Sequence, residues 1–93
     1  MRPTIRVFAE AMEKKLQRDD NSKVAWELED PRKSLDNLFD EVIELKHAMI
    51  RYRLTGNQED EIKVMSECCD VANSAMIVFS QLHPEAKGNS RGY

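Results

Sequence analysis

Glycine and proline occur only three times each in the 93 residues, and aromatic side chains make up only 6% of the chain. So few turn formers and rings, set against a charged fraction of 33%, argue against a β-sheet protein and for an all-α one. No apolar run approaches the ~20 residues that a membrane-spanning helix requires, and the N-terminus has no apolar stretch of signal-peptide length. A cytoplasmic protein without a membrane partner is expected. No block of five like charges occurs, and the mixed charges sum to −3, so nothing advertises nucleic acid as a partner. An anionic ligand would need a cation to mediate its binding. The only cysteines, Cys68 and Cys69, are adjacent in a helical pattern. Neighbouring helical positions point ~100° apart, which suits small core residues in a reducing compartment better than a mutual disulfide. They have no metal-ligand spacing.

What is present is helical periodicity. Ile5, Phe8, Met12 and Leu16 mark a first helix over about Thr4 to Arg18, which stops in the polar cluster RDDNS. The stretch KVAWELEDP reads as a loop with the only tryptophan, Trp26. Pro31 stands where a first-turn proline is tolerated, and a second helix runs from there to about Leu54 before TGN breaks it. Its series Leu35, Leu38, Val42, Leu45, Met49 and Tyr52 alternates steps of three and four, which predicts a helix-packing seam. The third helix starts near Asn57, has Glu59, Asp60 and Glu61 in its first turn, and ends at His83-Pro84. It carries two apolar stripes, one through Ile62, Met65, Cys69, Ala72, Met76 and Phe79, the other through Val64, Cys68, Val71, Ala75, Val78 and Leu82. A helix apolar over that much of its circumference needs neighbours on several sides. The expected architecture is a single domain over residues 1–84, a helical hairpin plus an N-terminal helix, with a flexible tail at 85–93. A domain this small buries only about 60 to 65% of its unfolded surface. A homo-oligomer, dimer or tetramer, with a four-helix-bundle-like core is therefore expected.

Two acidic pairs stand beside these apolar stripes, Glu41 with Glu44 and Glu67 with Asp70. Each pair is spaced i, i+3 and so shares a helix face. In an antiparallel hairpin turning at Thr55-Gly56, residues whose numbers add to about 111 lie level, which Glu41 and Asp70 satisfy, as do Glu44 and Glu67. Four carboxylates then converge. Like charges this close raise one another's pKa, and partial burial raises it further. A divalent cation reverses that penalty, and all-oxygen ligation suits Mg²⁺, with Mn²⁺ as a substitute. The plain alternative is a solvated acidic face. Glu44 and His47 also form a Glu-x-x-His motif, but di-iron bundles carry it on two helices, and His83, the only other histidine, has no acidic residue three positions before it.

Glu41-x-x-Glu44, then twenty-two residues, then Glu67-x-x-Asp70 resembles the metal signature of the all-α nucleoside triphosphate pyrophosphatases, the MazG-like superfamily. The likeness spans most of the chain and is closest to small phage-type members, through FAEAMEKKL, a polar loop ending in Trp26, and Asn73 three residues after Asp70. It departs at Ser22-Lys23-Val24-Ala25-Trp26, where His-Lys-Gly-Gly-Trp is the pattern, and at His47, where an acidic residue is usual. The resemblance implies hydrolysis of a nucleoside triphosphate to monophosphate and pyrophosphate, with Mg²⁺ held by Glu41, Glu44, Glu67 and Asp70 and with Glu44 or Glu41 orienting the attacking water. Trp26 then either stacks on the base or caps the bundle. Asn73 either contacts sugar or phosphate or satisfies a neighbouring helix, and Lys23 and Lys63 are either phosphate contacts or solvated lysines. The competing class is a non-catalytic helical interaction module built from the same stripes.

Overall fold

A computed structural model describes residues 1–19 and 29–83. Residues 20–28 and 84–93, which hold the Lys23–Trp26 loop and the expected tail at 85–93, lie outside the described residues. Helix α1 spans Pro3–Asp19, α2 spans Pro31–Thr55 and α3 spans Gln58–Leu82. The described residues form no strand, so the chain is all-α. No helix among them is long and apolar enough to cross a membrane.

Local chemistry sets the helix ends. Asp30 is extended and its carboxylate accepts a hydrogen bond from the Arg32 N–H at 2.9 Å, while Pro31 takes the first helical position, where no N–H is needed. At the other end Gly56 adopts a left-handed conformation, φ 64°, and its N–H donates to the Tyr52 carbonyl at 2.7 Å. Asn57 immediately caps α3, its side-chain oxygen accepting from the Asp60 N–H at 2.8 Å. Because one helix closes and the next opens within two residues, α2 and α3 must fold back on each other as a hairpin.

Helix α3 is the central element, with α2 packed along it and α1 laid against it. The open end of the hairpin is held by a polar bracket. The Gln81 amide donates to the Ser34 hydroxyl at 2.8 Å and the Glu29 carbonyl at 3.2 Å, and Ser34 in turn donates to the Glu29 carboxylate at 2.8 Å.

The apolar interior is thin. Among the described residues only Ala48, Val64 and Cys69 are buried apolar side chains, and no large side chain is fully enclosed. The expected α2 seam is met by half. Leu38, Leu45 and Tyr52 are partly buried, but Leu35, Val42 and Met49 are exposed, and the innermost α2 residues are Ser34 and Ala48. The inward series is therefore Ser34, Leu38, Glu41, Leu45, Ala48 and Tyr52. The reason is rotational: a single partner helix covers one flank of a broad stripe, and α3 takes the flank that contains Glu41. Helix α3 is likewise incompletely covered, with Ile62, Met65 and Phe79 each more than half exposed.

Candidate metal centre

The rotation of α2 decides what the hairpin encloses. Glu41 stands in the middle of the inward series of α2 and faces the stretch of α3 that carries Glu67 and Asp70. One carboxylate oxygen from each of these three residues lies within 4.8 Å of the others. Glu44, one turn further along, is exposed and stands outside that set. It lines an open groove of about 610 Å³ together with His47, Arg51, Lys63 and Glu67. The structure thus brings together three of the four predicted carboxylates and sets the fourth at the margin.

The three differ in their surroundings. Glu67 is only 2% exposed, and its two oxygens have different fates. Oε2 pairs with the Lys63 ammonium at 2.9 Å, whereas Oε1 is buried with no hydrogen-bond partner. A buried carboxylate oxygen without a partner is strongly unfavourable, and a cation is the simplest group that would satisfy it. Asp70 is paired with Lys15 of α1, whose Nζ lies 3.0 Å from both carboxylate oxygens. Burial, reinforced by the charges of Asp70, Glu44 and Glu67, pushes the Glu41 carboxyl above its ordinary range, with Lys15 acting in the opposite sense. The hydrogen bond to Glu67, and then its charge, hold the Lys63 ammonium protonated beyond its usual range.

The donor set is chemically selective. Oxygen ligands alone, supplied by carboxylates on two rigid helices, match a hard divalent cation such as Mg²⁺ or Mn²⁺ rather than a soft metal. Cys69, next to Asp70 in sequence, is buried and its pKa is raised by that burial, which leaves it protonated and inert. Among the described residues no histidine joins the carboxylate set. His47 lies in the groove, and His83 stacks on Phe79 with ring centres 5.0 Å apart.

Of the remaining predicted residues, Asn73 is buried between α3 and α1. Its amide donates to the Met12 carbonyl at 3.4 Å, while its side-chain oxygen is buried with no partner. Lys63 points at Glu67 from the groove side. Lys23 and Trp26 lie outside the described residues. Lys15 and Ser66 also belong to the cluster, which spacing does not reveal: a lysine in the run EKKLQ looks like any solvated helix lysine, and only the way α1 meets α3 distinguishes Lys15 from Lys14. No known protein family, curated protein or solved structure matches the chain.

Proposed function

We propose that the chain is a Mg²⁺-dependent nucleoside triphosphate pyrophosphohydrolase of the MazG-like kind, cleaving a nucleoside or deoxynucleoside triphosphate to monophosphate and pyrophosphate. Mn²⁺ is the natural substitute cation, and a homo-oligomer is the working unit. The observation that carries this reading is that Glu67, one of three residues whose carboxylates meet within 4.8 Å, keeps an oxygen, Oε1, buried without a partner. Lys15 and Lys63 offset part of the repulsion in this set but leave Oε1 unsatisfied, and a hard cation would complete the compensation.

A divalent ion bound there would neutralise triphosphate charge and activate water for attack on the α-phosphorus. The chain's own residues supply the rest. Glu67 and Asp70 hold the ion's place from α3. Glu41, its pKa raised by burial and by the neighbouring carboxylates, is a stronger proton acceptor than an ordinary carboxylate. Glu44, exposed at the groove, is positioned to orient the water. Lys63 is 61% exposed at its side chain and has room to turn from Glu67 toward a phosphate, and Arg51 lines the same groove. Asn73 keeps an unpaired buried oxygen for a hydroxyl donor. In this reading Lys23 and Trp26 complete the substrate contacts.

The test is product analysis across the eight common ribo- and deoxyribonucleoside triphosphates with Mg²⁺. Monophosphate plus pyrophosphate from at least one of them is the expected result. Orthophosphate plus diphosphate, or no turnover with any, defeats the proposal. A second reading, a non-catalytic oligomerisation module, is favoured by the thin interior and the exposed Leu35, Val42 and Met49. It predicts a protein indifferent to Mg²⁺ in calorimetric titration.

A further inference from the structure

The carboxylate cluster already contains a positive charge that comes from another helix. Nζ of Lys15 lies 3.0 Å from both oxygens of Asp70, 2.5 Å from the Ser66 hydroxyl and 3.4 Å from the Ser66 carbonyl. An ammonium has three protons to donate, and here it is surrounded by four oxygens, a shell of the kind that a hard metal ion also takes. Its side chain is only 16% exposed, a degree of burial that lysine tolerates only when paired.

We propose that Lys15 is the resident cation of this site, holding α1 against Asp70 until a divalent ion binds the cluster and displaces it. The inference rests on the cation site described above. An ion ligated by Asp70 would sit about 2.0 to 2.4 Å from a carboxylate oxygen. Lys15 bridges both oxygens of Asp70, so a divalent ion that takes both must displace it, and one that takes a remaining lone pair meets its charge at short range.

The exchange has a mechanical consequence because of where Lys15 is attached. Among the described residues the other polar tie between α1 and α3 is the long hydrogen bond from Asn73 to the Met12 carbonyl, 3.4 Å. The apolar contact is partial: Ala11, Met12 and Leu16 are half-buried, whereas Val7 and Phe8, beside the open groove lined by Met65, Cys68 and Cys69, stay 57% and 40% exposed. Docking of α1 therefore rests on the Lys15–Asp70 ion pair together with this partial apolar contact. Lys63 differs, since it pairs with Glu67 on its own helix and its release moves no element. Coupling between two binding events is reciprocal. Cation binding loosens α1, and docked α1 weakens cation binding.

Manganese ion itself is the probe. Lys15→Met keeps the side chain's length and removes its charge, and Lys15→Arg keeps the charge. Calorimetric titration should show Mn²⁺ binding roughly tenfold tighter in Lys15→Met than in the wild type, an ordinary size for coupling between sites, with Lys15→Arg close to wild type. Hydrogen exchange on the wild-type protein should show α1 amides losing protection at saturating Mn²⁺ while the α2–α3 hairpin gains it. That second measurement needs no variant, so it decides the matter even if Lys15→Met fails to fold. Binding of equal or lower affinity in Lys15→Met, or α1 protection unchanged or increased by Mn²⁺, overturns the exchange and leaves the cation site standing. Absence of Mn²⁺ binding in every form overturns both. Lack of triphosphate turnover bears on neither readout, because both report the ion directly.

Discussion

Lys63 reaches one turn along α3 and places its ammonium 2.9 Å from Oε2 of Glu67, while Oε1 of the same carboxylate is buried without a partner. One side chain thus has one oxygen satisfied by a solvent-exposed lysine and one oxygen left buried and unsatisfied beside the Glu41–Asp70 cluster. An ion pair with so exposed a partner contributes little to stability by itself, since water and salt screen it. The unsatisfied oxygen is the more consequential half.

The first prediction follows from that asymmetry. Glu67→Gln keeps the shape, removes one charge from a crowded cluster and deletes a ligand. The metal-free variant should melt at the wild-type temperature or slightly above it, lose most of the thermal stabilisation by Mg²⁺, and lose most turnover. Because an ion that binds only the native state contributes RT ln(1 + [L]/Kd), the stabilisation lost should grow with metal concentration. Melting curves of both proteins with and without Mg²⁺ check this. A clear fall in the metal-free melting temperature with an unchanged metal response would identify Glu67 as a structural salt-bridge residue instead.

Acidity should act on the metal-free protein and on metal binding in opposite directions. The folded-state pKa of Glu41 lies above its ordinary value of 4.5, chiefly through burial and then through Asp70, Glu44 and Glu67. Between 4.5 and the raised value the folded chain binds more protons than the unfolded chain, so this residue's contribution to stability falls as pH rises through that window. Metal affinity should rise over the same interval, because the protonated carboxyl cannot ligate. Chemical denaturation and Mn²⁺ titration at a series of pH values, compared between wild type and Glu41→Gln, isolate the effect. Parallel curves for the two proteins would remove Glu41 from the site.

Gly56→Ala probes the hairpin turn. The residue sits at φ 64°, and a Cβ there would meet nothing within 4 Å, so the penalty is conformational alone. A non-glycine residue in this region costs about 1 to 2 kcal/mol. Urea denaturation should show a loss of that order with an unchanged slope, and Gly56→Asn should recover part of it.

Assembly is the fourth expectation. Exposed Leu35, Phe39, Val42, Ile43, Met49 and Ile50 leave much of α2 uncovered, while only three apolar side chains among the described residues are buried. A second copy packed on this face would provide the missing core. Sedimentation should give at least a dimer at micromolar concentration. Val42→Asp should shift the protein toward monomer and lower its melting temperature, because folding and association are linked by mass action. A wild-type monomer at that concentration would contradict the expectation.

Much of this molecule is legible in the order of its residues because the controlling interactions are local. Asp30-Pro31 starts α2, Gly56-Asn57 ends it and starts α3, and the observed boundaries fall within a residue or two of those read from spacing. With both caps fixed and only two residues between helices, the hairpin register follows, and with it the level of Glu41 beside Asp70 and of Glu44 beside Glu67. The resemblance that suggested a use for these carboxylates also rests on their spacing.

What spacing leaves open is how each helix is turned about its own axis and where α1 lies. Both are set by contacts between residues far apart in the chain, which no local periodicity encodes. Leu35, Val42 and Met49 are as apolar as the neighbours that pack inward, and only the presence of α3 on one flank selects Ser34, Glu41 and Ala48 for the interior. The same rotation sets Glu44 at the groove margin and leaves Oε1 of Glu67 enclosed. Lys15 is the clearest case. Its sequence neighbours mark it as an ordinary helix-surface lysine, and its place between Asp70 and Ser66 exists only because α1 is docked on α3. The chain's residue order determined three helices, their ends and the pairing of acidic turns, since these depend on dihedrals and hydrogen bonds within a few residues. Tertiary structure alone decided which oxygens are buried and which cation accompanies them, because burial and charge pairing are properties of surfaces that meet in space.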